Sequence, residues 1–126
     1  MAHGGSCPCG SGDVYAACCE PLHDGVRVAA TAEELMRSRY SAFAKGAGDY
    51  LFTTWHPRTR PSDITLDDEV TWTGLVISDV VAGGETDDHG EVEFTARYLR
   101  AGRPGALDER SRFERRAGRW FYVDRL

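Results

Sequence analysis

The chain has 126 residues, 41% of them apolar and 28% charged, and its 15 basic and 20 acidic side chains give a formal net charge of −5. That length holds one ordinary core plus a small appendage. No apolar run approaches the roughly 20 residues of a membrane-crossing helix, and the acidic balance lacks the positive footprint of a nucleic-acid or anionic-membrane binder.

The start, MAHGGSCPCG, has neither the basic region nor the apolar middle of a secretory signal, so the expected compartment is the reducing cytoplasm. All four cysteines follow within CPCGSGDVYAACC, residues 7 to 19. Adjacent Cys18 and Cys19 and a reducing compartment both work against two disulfides. Zinc explains the clustering better, because two close ligand pairs joined by a short connector form a tetrahedral cage without help from the rest of the fold. Gly10 and Gly12 supply positive φ in the connector, and Ser11 is expected to cap a short helix over Asp13–Cys19 that turns Tyr15 toward the thiols. Pro21 is expected to end that helix near Cys19 or Glu20. The ligand set is Cys7, Cys9 and Cys18 with Cys19 as the fourth corner, and His23 is the alternative fourth ligand. A four-thiolate zinc site carries charge −2. Residues 1–26 contain no Lys or Arg, so backbone N–H groups around Gly10 and Gly12 are expected to offset it.

ATAEELMRSRYSAFAKG reads as a capped helix, with Thr31 and Glu34 at capping-box spacing and Gly46 at the exit. Leu35, Met36, Arg39, Tyr40 and Phe43 form one stripe in which Arg39 is the only charge. A second helix is expected from Asp49 through YLFTTWH to Pro57. Beyond residue 60 the pattern alternates: EVTWTGLVISDVVA, EVEFTARYL, LDERSRFERR and RWFYVDRL are four strands separated by GGETDDHG, RAGRPGA and an Ala-Gly turn. Val92, Phe94, Ala96 and Tyr98 share one strand face, and the arginines of RSRFERRAGR lie on a solvated one. Helices followed by an antiparallel meander with one face to cover define an α+β fold.

CPCGSGDVYAACC fits the pattern of the SEC-C motif, which is similar to the zinc-binding tail of the bacterial Sec translocation ATPase. The run TAEELMRSRYSAFAKGAGDYLFTTWHP resembles the YchJ-type bacterial family, which joins this motif to a cone-shaped domain of the nuclear-transport-factor and ketosteroid-isomerase kind. The resemblance implies a SEC-C zinc-binding motif over residues 1–26 and a cone of helices on a curved antiparallel sheet over residues 27–126.

RSRYSAF and TWHPRTRP place Arg37, Arg39, Tyr40, Trp55 and His56 where they could line a pocket, with an arginine pair gripping a carboxylate or phosphate and His56 as acid or base. The structural alternative has Arg39 paired with an acid under the sheet, Trp55 in the core and His56 beside a helix end. No nucleophile motif, phosphate loop or cofactor fingerprint is present. The leading expectation is a zinc-bearing interaction module whose knuckle docks a protein partner. The alternative is an enzyme or small-ligand binder using the cone's cavity, and the scarcity of basic residues near the cysteines speaks against nucleic acid. Whether the chain catalyses anything, and its oligomeric state, are left open.

Overall fold

The computed structural model describes residues 6–126, so the first five residues of the expected 1–26 motif lie outside the described residues. Its longest helix begins where Thr31, extended at φ −139°, accepts a hydrogen bond at its Oγ1 from Glu34 N at 3.1 Å. The reciprocal half of the box is displaced by one residue: Glu34 accepts from Ala30 N at 2.7 Å and holds Arg27 at 2.6 Å. Three short elements precede this point or lie close after it. A 3₁₀ turn covers Tyr15–Ala17, α1 covers Glu20–His23, the long helix α2 covers Ala32–Lys45, and α3 covers Gly48–Thr53. Gly46, at φ 76°, closes α2 in the left-handed region.

Several local expectations are corrected. The helix expected over Asp13–Cys19 is a single 3₁₀ turn, and Ser11 does not cap it: the Ser11 hydroxyl accepts from Asp13 N at 3.2 Å. Pro21 starts α1 rather than stopping a helix, since a missing N–H costs nothing in a first helical turn. The helix expected to reach Pro57 also ends early, at Thr53, because Trp55 leaves it to form a parallel bridge with Tyr122. His56 N donates to Tyr122 O at 2.7 Å, and Tyr122 N donates to Thr54 O at 2.8 Å.

The alternating half forms one antiparallel meander in the order β1 (Val70–Ala82), β2 (His89–Arg100), β3 (Arg103–Arg116), β4 (Arg119–Arg125). β3 starts earlier than the sequence suggests. Arg100 pairs directly with Arg103, so RAGRPGA contains only a two-residue turn at Ala101-Gly102, with φ 49° and 82°. Ala117-Gly118 makes the same kind of turn, both residues left-handed, which matches the right-handed twist of the strands they join. Bulges at Trp72/Gly74, Ile77/Asp79 and Arg112/Phe113 bend the sheet.

α2 crosses the concave face. Leu35, Met36, Arg39 and Tyr40 are all buried there, while Phe43 remains partly exposed at 38%. The core joins Leu35, Met36 and Tyr40 to Leu75, Val92, Phe94, Ala96, Phe113 and Trp120. Leu22, from α1, belongs to the same core, so the N-terminal motif contributes packing as well as thiols. The start of α2 is seated by a close approach in which Ala32 N donates to Gly83 O at 2.9 Å. A Cβ on Gly90 would come within 2.5 Å of Gly83 Cα and 3.1 Å of Ala32 Cβ, a space only hydrogen fills. The sheet's opposite face is charged: Arg110 reaches Asp79, Glu91 and Glu93, and Arg112 makes a two-pronged pair with Asp124. Among the described residues, no helix is long and apolar enough to cross a membrane.

Candidate functional site

The chain folds back on itself between Ser6 and Val14, which form an isolated bridge, and Gly10 and Gly12 turn it at φ 81° and 93°. This places Cys7 and Cys9 against Cys18 and Cys19 with all four Sγ atoms within 4.8 Å of one another. Cys9 and Cys18 are 3.6 Å apart, and Cys18 and Cys19 are 3.9 Å apart. Tetrahedral zinc–sulfur bonds would set the sulfurs about 3.8 Å apart, so the donor set fits a zinc ion in both chemistry and spacing. The thiols are free and three of the four are buried. Hydrogen bonds from Cys19, with smaller contributions from Ser11 and Cys7, outweigh burial and pull the Cys9 thiol down to about 4. Burial pushes Cys18 up to about 11, and Cys19 is pushed up chiefly because its proton is engaged by Cys9. One thiolate is therefore favoured before any cation arrives, and loading the site releases the remaining protons.

His23 lies outside this cluster, with both ring nitrogens occupied. Nε2 donates to Ser38 O at 2.8 Å, which leaves Nδ1 to accept from the Tyr15 hydroxyl at 2.6 Å. Ser38 in turn donates from Oγ to Leu35 O at 2.8 Å and accepts from the Tyr50 hydroxyl at 2.7 Å. Tyr15 thus packs beside the thiols, as expected, but its hydroxyl ties the knuckle to α2.

Part of the offset to the thiolate charge comes from where it was expected: the backbone N–H of Ser11, between Gly10 and Gly12, helps to lower the Cys9 thiol. Gly10 N donates to the Cys7 carbonyl at 3.2 Å, whereas Arg37, on α2, donates from Nη1 to Cys9 O at 2.7 Å and from Nε to Glu33 at 3.0 Å. Arg27 adds a longer bond to Cys18 O at 3.4 Å. The Ser41 hydroxyl lies 3.7 Å from Cys7 Sγ. Ser38 and Ser41 are both fully buried, and this small polar side of α2, opposite the Leu35–Tyr40 stripe, is what the knuckle presses against. Buried serines at helical spacing beside an arginine were the available sequence signal for this contact.

The other residues suggested for a pocket separate into two places. Arg39, Tyr40 and Trp55 line one cavity of about 340 Å³ between α2 and the sheet, together with Trp72, Phe94, Glu109, Ser111 and Tyr122. Arg37 belongs to the knuckle. His56 is also elsewhere: its Nδ1 accepts from Arg58 N at 3.0 Å, and its Nε2 lies 3.4 Å from Glu114, which Arg58 also holds at 3.0 Å. Burial and the neighbouring Arg58 cation lower the His56 pKa, keeping the ring neutral.

Among the described residues, no carboxylate lies within 4 Å of Arg39 to pair with it. Its Nη1 donates to Leu51 O at 2.8 Å and Thr54 Oγ1 at 2.7 Å, and its guanidinium carbon sits 4.7 Å from the Tyr122 ring centre and 5.3 Å from that of Trp55. Burial pulls its pKa down to about 10, opposed by Tyr122 and Tyr50, so it stays charged at neutral pH.

Comparison with known proteins matches residues 31–125 to the model described as "YchJ, middle NTF2-like domain" and residues 6–21 to the SEC-C motif. A UPF0225 protein of Streptomyces coelicolor is 51% identical over 118 residues, covering 94% of this chain and 92% of the relative. One of Chromobacterium violaceum is 48% identical over 124 residues, covering 96% and 92%. The solution structure of a SEC-C motif containing protein from Rhodopseudomonas palustris superposes with a TM-score of 0.84 at 36% identity, covering 95% of this chain and 96% of the other. The crystal structure of a SEC-C motif containing protein from Psychrobacter arcticus gives 0.77 at 29% identity, covering 94% and 80%.

Proposed function

The chain belongs to the YchJ-type UPF0225 family, which joins a SEC-C motif to an NTF2-like domain, and on that premise we propose that it is a zinc-binding interaction module of the cytoplasm. The observation that carries the reading is the convergence of Cys7, Cys9, Cys18 and Cys19 within 4.8 Å. Four thiolates close a tetrahedral zinc completely, leaving no position for water or substrate, which is the donor set of a structural rather than a catalytic site. Free thiols held this close need a reducing compartment to persist.

The metal's role is then to hold a surface. The knuckle is fixed to α2 through Arg37, Ser41 and His23. In and just after the knuckle, Val26, Val14 and Val28 are 80%, 50% and 46% exposed, three apolar side chains within fifteen residues. A partner that covers them gains apolar burial on a scaffold already ordered by the metal, so little entropy is lost on docking.

Elemental analysis of protein purified without added metal is expected to return one zinc per chain, with Cys19→Ser losing it and His23→Ala keeping it. Much less than one equivalent, or the reverse pattern in the two variants, would overturn the metal assignment. Val26→Asp, at unchanged zinc content, is expected to abolish crosslinking to the partner in the native cell; an unchanged crosslinking pattern rejects the docking surface.

A further inference from the structure

The cavity between α2 and the sheet supports an inference independent of the knuckle. A guanidinium has five N–H donors, and the two on Arg39 Nη1 are taken by Leu51 O and Thr54 Oγ1. The donors on Nε and Nη2 meet no acceptor among the described residues. Nor does any carboxylate lie within 4 Å to neutralise the charge. A buried cation in this condition is held by two neutral oxygens and by aromatic faces, with no counter-charge, an arrangement weaker than an ion pair with a carboxylate. Arg39 is only 4% exposed, yet it lines a cavity of about 340 Å³.

The rest of the wall defines what else the occupant must be. Met36, Tyr40, Trp72 and Phe94 supply apolar and aromatic surface, and Phe43 and Leu107, 38% and 37% exposed, mark the side open to solvent. Glu109 also lines the cavity, accepting from Ser111 Oγ at 3.0 Å, and the Tyr122 phenol is influenced by both the Glu109 and Arg39 charges. One positive group and one negative group on the same wall favour a ligand with a single anionic end and disfavour dianions. The volume lies at the small end of the range for ligand pockets, about 300–1,000 Å³, enough for an apolar body the size of a phenyl ring or short aliphatic chain.

We propose that this cavity binds a small apolar monocarboxylate, its carboxylate held by the free edge of the Arg39 guanidinium and its body packed against Trp72 and Phe94. The carboxylate supplies the counter-charge that the fold leaves out, and two parallel N–H···O bonds from Nε and Nη2 would orient it.

Phenylacetate, isovalerate and octanoate are the probes, with phenylacetamide and inorganic phosphate as controls, read by thermal shift and by tryptophan indole resonances in the zinc-loaded full chain. At least one carboxylate is expected to stabilise the protein saturably with a Kd of about 1 mM or tighter, and neither control is expected to match it. Arg39→Met is expected to weaken binding about tenfold or more. Should that variant fail to fold, Leu107→Trp, at the part-exposed rim, is expected to narrow the entrance and weaken binding by a similar factor while melting as wild type does. The proposal fails if none of the three carboxylates binds wild type below ~10 mM. It also fails if phenylacetamide binds as tightly as phenylacetate, or if a folded Arg39→Met or Leu107→Trp keeps full affinity.

Discussion

In the knuckle, the stretch from Cys7 to Cys19 brings four thiols within 4.8 Å; in the cavity, residues between Met36 and Tyr122 are needed to surround one guanidinium. The two regions stand on opposite sides of α2, with Ser38 and Ser41 facing the first and Met36, Arg39 and Tyr40 facing the second. The knuckle's geometry is set by neighbours along the chain, with the four cysteines packed together at its centre. The cavity's geometry is set by how far the bulged sheet stands from the helix that covers it. One helix serves both because its faces differ in size, with small hydroxyl side chains admitting a close neighbour and large apolar ones holding the sheet away.

Withdrawing zinc should separate the regions most sharply. Zinc contributes roughly 10–16 kcal/mol to the ordering of short metal-dependent segments. With a chelator present, amide exchange in residues 6–24 is expected to approach that of an unfolded peptide while β2 and β3 stay protected. Leu22 leaves the core with the knuckle, so a fall in the domain's melting temperature accompanies this. Equal loss of protection in the strands would show that the knuckle and the sheet form one cooperative unit.

The reverse experiment acts from the sheet. Phe113 is 1% exposed at the centre of the core, and Phe113→Ala is expected to cost about 3–5 kcal/mol by urea denaturation. Zinc content should remain one per chain below the transition. Zinc loss in the folded variant would break the comparison, because it would make the metal site dependent on sheet packing.

The smallest effect sharpens the boundary between the regions. Tyr50, whose hydroxyl donates to Ser38, has its pKa pushed up to about 12 by burial, against an ordinary value of 10. The neutral phenol is thus the form the fold prefers. Its contribution is fully present below pH 10 and is lost as pH rises from there through about 12, because the unfolded chain ionises first. Tyr50→Phe should flatten that part of the stability–pH curve. An unchanged slope would place the titrating group elsewhere.

Much of the molecule is legible in the sequence wherever the deciding contacts are local. Cysteine spacing marks the four-thiol cluster, Thr31 and Gly46 mark the ends of α2, and alternation from Val92 to Tyr98 marks a strand and its buried face. Each depends on residues a few positions apart, whose relation is fixed by backbone geometry. Local reading fails where a residue answers to a distant one. Trp55 leaves its helix for Tyr122, and Pro21 opens a helix because the 3₁₀ turn before it has already ended. Arg37 and Arg39, two positions apart, point to opposite sides of α2, one onto the Cys9 carbonyl and the other into a cavity where, among the described residues, no carboxylate comes within 4 Å of it. Their spacing predicts that divergence on any helix; what each meets there depends on where the knuckle and the sheet dock. A charge's partner is chosen by what tertiary packing brings within hydrogen-bond reach, and that distance is not written in the order of residues.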